Sequence, residues 1–291
     1  MLSATQSAAL RHVEATADAR EATALLSIAG ILERAGFGLE TYREVIESVR
    51  QYARIALHFH PDRFGRNAAS VAESLLRDGV YRNQFETGLS SGSPTASPGG
   101  ERDIWERTLF GGAYHAEGVL ASERPKYGSL ELVRFPDGPA PRFGSCYFVL
   151  RDVGARTSIT FMGSEHPQAS DRVGTLANPH GAMAALLSEI ENGGVATLAW
   201  PPFRTPTLGV PDITVGRFYD LAKRLSEHRP NPSVGEPGRV LDTGVEAQVH
   251  GIARGPGAMD RGERWLPGIV GDPQPAGWRT RRTCVAGDPG G

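Results

Sequence analysis

The change of character at Pro125 constrains the fold more than any other feature of this chain. Upstream of it, apolar residues recur at helical spacing. Leu25, Leu26, Ile28, Ile31 and Leu32 form one such set, Gly36 and Gly38 break it, and Tyr42, Val45, Ile46 and Val49 form another. Thr41 with Glu44 three residues on reads as a capping box that starts the second helix. Downstream, YGSLELVRF, FGSCYFVLR and RTSITFMG are β-branched or aromatic runs separated by the turn clusters PDGPAPR and DVGA. Helices are expected over 181–191 and 216–227, and a last strand in RVLDTGVEAQVHG. The expected class is α+β: N-terminal helices followed by an antiparallel sheet with helical insertions.

Between these halves, IALHF either ends the second helix or forms a short buried strand, and Pro61 stops both. SVAESLLRDG reads as a short helix closed by Gly79, and ERDIWERTLF as another helix. Three regions are expected: a helical region over 1–57, an α+β domain with the chemistry over 58–250, and a tail over 251–291. The tail is dense in Gly and Pro and shows no helical or strand period, a composition expected of disordered or out-of-frame sequence.

Composition narrows the function. A formal charge of -2 gives no general attraction to nucleic acid or an anionic membrane, and no apolar run is long enough to span a bilayer. The N-terminus lacks the basic-then-apolar order of a signal peptide. Cys146 and Cys284 are far apart and lack a partner motif, so a reducing cytoplasm is the default compartment. Cys146, inside an apolar strand, reads as an inert core residue. No Walker-type loop or Rossmann fingerprint points to an ordinary nucleotide hydrolase or dehydrogenase.

Chemistry concentrates between Tyr81 and His115, where Gln84, Glu86, Thr87, Ser90 and Ser91 lead through Gly and Pro to a charged segment around Trp105. That segment presents Glu101, Arg102 and Glu106 to a ligand, or it is a charged helix face with Trp105 buried. Glu123, Arg124, Lys126 and Tyr127 enter a strand directly, which would bring their charges to the rim of a cleft. In VEAQVHG, a strand places Glu246, Gln248 and His250 on one face and Val245, Ala247 and Val249 on the other. His58, His60 and Asp62 sit two apart, so a strand there would project all three to one side as metal ligands. No HExxH and no paired Cys/His spacing accompanies them, and no metal is expected.

The blocks HFHPDR, YRNQFETGLSSG, GGERDIWERTLFGGAYH, ERPKYGSL, PRFGSCYFVL and VEAQVHG resemble, in this order, a bacterial domain-of-unknown-function family, number 3626. A basic or His residue early, a Ser/Thr-rich strand next and a Glu-bearing strand last also resemble the layout of ADP-ribosyltransferases. That resemblance implies NAD as a substrate, with Glu246 as the catalytic carboxylate and Gln248 beside it. His60 or Arg63 would hold the nicotinamide-side ribose or a phosphate, and Thr87, Ser90 and Ser91 would lie on the middle strand. Gln84, Glu86 and Arg102 would complete the dinucleotide site. The partner is then a small dinucleotide, and the acceptor is left open. Residues 52–63 also resemble the helix-then-HPD loop of J-domain cochaperones, which implies an Hsp70 partner met through His60, Pro61 and Asp62. A metal-dependent hydrolase using His58, His60 and Asp62 is the third alternative.

Overall fold

The structure, a computed structural model, describes residues 2–52, 54–65, 68–89, 96–132, 138–140, 143–144, 146–150, 154–161, 172–192, 218, 221–222, 224–225, 245–251 and 253–254. The chain opens with two helices, α1 (Ala4–Arg34) and α2 (Leu39–Tyr52). Ser3 caps α1 reciprocally: its hydroxyl accepts the Gln6 N–H, and the Gln6 side chain accepts the Ser3 N–H. The α2 helix starts at Leu39, three residues earlier than a cap at Thr41 would place it, and the Thr41 N–H already donates to the Gly38 carbonyl.

Six strands then build one sheet: β1 (Ile55–Phe59), β3 (Lys126–Leu130), β4 (Cys146–Leu150), β5 (Thr157–Phe161), β6 (Val173–Thr175) and β7 (Val245–Val249). Their order is β4-β1-β3-β7-β5-β6, and every neighbouring pair is antiparallel. The short helices α3 (Val71–Asp78), α4 (Gln84–Thr87) and α5 (Glu101–Leu109) fall between β1 and β3, and α6 (His180–Asn192) follows β6. The α+β class therefore holds, with the N-terminal helices ahead of an antiparallel sheet as the sequence implies. Positions 218, 221–222 and 224–225 are helical, within the segment where a helix was expected.

IALHF is a strand and not the end of a helix, so the boundary read between residues 57 and 58 falls inside β1. Ile55 and Leu57 are buried in one cluster with Ile28 and Leu32 of α1, Tyr42 and Ile46 of α2, Leu186 and Ile190 of α6, and Val245, Ala247 and Val249 of β7. The N-terminal helices thus share their core with the sheet. Each fully buried aliphatic side chain there contributes roughly 1.5–3 kcal/mol. The chain also stays in the fold past His250, since β8 (Ala253–Arg254) pairs antiparallel with β2 (Val80–Tyr81). Residues from 255 onward, the rest of the expected tail, lie outside the described residues.

Cys146 is buried on β4 opposite Phe59, in the core position expected of it. Among the described residues, no single helix is long and apolar enough to cross a membrane.

Gly128 sets how closely β3 can approach β1. A methyl group there would come within 2.6 Å of the Ala56 carbonyl oxygen and 2.8 Å of Leu57 Cδ2. Gly128→Ala should therefore push two central strands apart and cost about 1–3 kcal/mol, as overpacking in a dense core does. Urea denaturation checks this, and a midpoint equal to that of the wild type would refute it.

Candidate functional site

The site forms where β1, β3 and β7 run side by side and α3, β2 and α4 rise opposite them. They enclose a cleft of about 410 Å³, within the range of small-molecule sites. Its strand side carries Ala56 and Phe59 from β1, Tyr127 and Ser129 from β3, and Glu246 from β7. The opposite wall carries Arg77, Asp78, Tyr81, Arg82, Gln84 and Glu86.

Local sequence explains that wall. Ser70 and Glu73 cap α3 reciprocally, and Gly79, at φ 61°, stops it in the left-handed conformation. Arg77 and Arg82 both pair with Asp78, and these hydrogen bonds hold its carboxyl well below the usual range. Asn83 then caps α4 by accepting the Phe85 and Glu86 N–H groups, and its amide donates to the Ala121 carbonyl at 2.7 Å. This one side chain ties α4 to the turn that leads into β3.

Of the residues expected at the site, the cleft gathers Glu246, His60, Arg63, Gln84, Glu86, Thr87 and Arg102. Their local roles differ from those expected. Thr87 is on a helix and not on the middle strand, and its hydroxyl donates to the Asn83 carbonyl at 3.0 Å while accepting the Leu89 N–H. Glu86 caps α4 through the Asn83 N–H at 2.9 Å. Ser90 and Ser91 lie outside the described residues. Glu246 lies between β3 and β5, directly across the ladders from Ser129 of β3 and Thr160 of β5. The alternation of Tyr127 and Ser129 with Gly128 and Leu130 in KYGSL is the sequence signal that marks this polar face.

Gln248 does not line the cleft. It is fully buried between β3 and β5, where its amide donates to Thr160 Oγ1 at 2.9 Å. Ser158 donates to Gln248 Oε1 at 3.1 Å, so Ser158 accepts from His250 Nε2–H at 3.1 Å. His250 Nδ1 is then left to accept the Tyr114 hydroxyl at 2.5 Å. Phe110 packs edge-on to the same imidazole. Glu246, Gln248 and His250 do share one strand face, but only Glu246 reaches the cleft.

The readings built on HFHPDR change as well. β1 ends at Phe59, so His58, His60 and Asp62 do not project together from a strand. His58 donates from Nδ1 to the Gly144 carbonyl at 3.0 Å, and its Nε2 accepts the Ala140 N–H at 3.2 Å. Among the described residues, no three metal-ligating side chains cluster. A strand, not a helix, precedes His60-Pro61-Asp62, unlike the J-domain arrangement. The loop is bound back onto α3 by Val71 N–H to the Arg63 carbonyl and Ala72 N–H to the Pro61 carbonyl.

The charged helix is the larger surprise. Residues 102, 103 and 106 share one face of α5 by helical spacing, and Arg102, Asp103 and Glu106 are all buried while Ile104 is exposed. The helix turns these three charges inward, while Glu101 and Arg107 stay exposed. Glu106 accepts the Tyr127 hydroxyl at 2.7 Å and Arg124 Nη1 at 2.8 Å. Arg124 also pairs with Asp103 at 2.6 Å, and Asp103 accepts the Gly99 N–H and stands 2.9 Å from His115 Nε2. Burial pushes the Glu106 carboxyl up to about 7, against the pull of Tyr127 and Arg124. Burial likewise raises the Tyr127 phenol well above its ordinary value, with Glu106 adding to it. The Arg102 guanidinium carbon lies over the Tyr127 ring, 4.1 Å from its centre, and Nη1 stands 3.5 Å from Glu246 Oε1. Of the strand-entry residues, only Tyr127 lines the cleft. Arg124 and Lys126 are buried elsewhere, and Glu123 accepts the Leu120 N–H.

The geometry defines an α+β domain with a carboxylate on a central strand at the base of a cleft. Residues 54–255 match the family model described as protein of unknown function DUF3626, and the chain belongs to that family. No curated protein matches the chain.

The His250 network sets an acid limit on the fold. Burial, with Lys126 nearby, pushes the imidazole down from 6.5 to about 3. A depressed folded-state value adds stability above pH 6.5 that is lost as pH falls toward about 3. His250→Gln should flatten that acid loss and cost about 1–3 kcal/mol near neutral pH by disturbing buried hydrogen bonds. Urea denaturation as a function of pH reads both effects, and an unchanged acid slope in the variant would refute the assignment.

Proposed function

We propose that the protein transfers ADP-ribose from NAD by breaking the nicotinamide–ribose bond, with Glu246 as the catalytic carboxylate. The observation that carries this reading is the adjacency of β1, β3 and β7. It sets a strand leading into His60 and Arg63, a strand bearing Ser129 and a strand bearing Glu246 side by side at one cleft. This is the order of groups that the ADP-ribosyltransferase resemblance implies, with Ser129 in the place given to Thr87, Ser90 and Ser91.

The chemistry suits the groups present. As the bond breaks, its electron pair leaves with nicotinamide and positive charge develops on the ribose carbon. The positive charge thereby moves from the pyridinium ring to the ribose carbon, and a carboxylate fixed at the base of the cleft beside that carbon stabilises it there more than on the ring. Phe59, Tyr81 and Phe143 supply aromatic surface for a planar base. Arg63 suits a pyrophosphate because its planar fork bonds oxygens in pairs. An acceptor nucleophile then bonds to the ribose carbon and gives up its proton, and where water is the acceptor the product is ADP-ribose.

The test is nicotinamide release from NAD by the full chain. Glu246→Gln should lower the rate at least about 100-fold, the usual effect of losing one fixed transition-state contact. Its circular dichroism spectrum and denaturation midpoint should stay close to those of the wild type. A variant as fast as the wild type, or a wild type that releases no nicotinamide, would sink the proposal.

A further inference from the structure

Arg102 was expected to contact the dinucleotide, and its surroundings indicate otherwise. It is 5% exposed, and its guanidinium is clamped between groups of the protein. The Tyr127 ring lies 4.1 Å beneath it, the Trp105 ring lies 5.4 Å away, and Glu246 Oε1 stands 3.5 Å from Nη1. Tyr127 is itself fixed, because its hydroxyl donates to Glu106, which Arg124 holds in turn. The guanidinium is therefore packed against the sheet through Tyr127, beside the buried charges of α5. A residue held in this way is a poor hand for grasping a flexible dinucleotide and a good support for one carboxylate.

Glu246 needs such a support. Its side chain is 17% exposed, on a strand between Ser129 and Thr160, which carry no charge. A carboxylate so poorly hydrated tends to take up a proton, which would cancel its effect on a developing cation. Two of the other charged groups around the cleft are committed to local structure: Asp78 pairs with Arg77 and Arg82 on the opposite wall, and Glu86 caps α4.

We propose that Arg102 is the positioning residue for Glu246: stacked on Tyr127, it keeps that carboxylate ionised and aimed into the cleft, and it does not bind substrate. This rests on the glycosyl-transfer reading for its purpose, but the coupling of the two side chains can be measured without any reaction. An opposite charge at this distance lowers a carboxylate by about 1–3 pH units. Carbon-13 label in the glutamate carboxyls, with Glu246→Gln to assign the resonance, gives the titration midpoint of Glu246 by NMR.

In Arg102→Met the midpoint should rise by about 1–3 pH units, and the acid limb of nicotinamide release should move with it. Arg102→Lys should recover part of both shifts by restoring the charge without the planar stack. Arg102→Gln carries the same expectation as the methionine variant, so misfolding of one does not end the test. A purely structural Arg102 would change stability and leave the midpoint in place, and an unmoved midpoint in a folded variant overturns the proposal. Wild-type protein that releases no nicotinamide overturns the reading of the reaction instead, which the titration distinguishes.

Discussion

The structure depends on the burial of Glu106. This carboxylate is inaccessible to solvent, and removing such a charge from water costs several kcal/mol unless partners replace the lost hydration. Two partners do so from different elements, Tyr127 from β3 and Arg124 from the turn before it. Their combined demand fixes how α5 lies on the sheet, with its charged face inward and Ile104 outward. Arg102, four residues before Glu106 and on the same face, is thereby delivered over Tyr127 and beside Glu246. A helix packed by apolar contacts could rotate by a fraction of a turn at little cost. One held by directional charged hydrogen bonds cannot.

The same interaction explains which parts of this protein could be read from its sequence. Period-two alternation in VEAQVHG and the helical stripes of α1 and α2 record faces that meet a common apolar core, so the class and the location of Glu246 were legible. Periodicity names a face without naming what covers it. Gln248 and His250 share their face with Glu246, but Ser158, Thr160, Tyr114 and Phe110 cover them, and those residues lie some ninety or more positions away. The α5 helix fails the usual reading for a related reason. Arg102, Asp103 and Glu106 look like a solvated stripe until Tyr127 and Arg124 are known to lie beneath it.

Thr87 was misplaced for a local and avoidable reason. Asn83 with Glu86 three residues on is a capping box, and Gly88 is a helix stop, so the sequence around Thr87 encodes one turn of helix. The serine across from Glu246 on β3 is instead in KYGSL, within the run YGSLELVRF that the sequence already marks as a strand. Gly128 interrupts that run because β1 passes too close for a side chain there.

Glu246 and His250 show how one strand face serves two purposes. Both are polar, and they are separated by four positions on or beside β7. At His250 every ring hydrogen bond is met by protein, and burial pushes the imidazole down to about 3, so it stays neutral and structural. At Glu246 the neighbouring strands place Ser129 and Thr160 directly across, and the side chain lines the cleft. A neutral imidazole can be sealed inside a network of hydroxyls and amides. A carboxylate keeps its charge only within reach of solvent or of an opposite charge, and Glu246 has both, the cleft on one side and the Arg102 guanidinium on its flank.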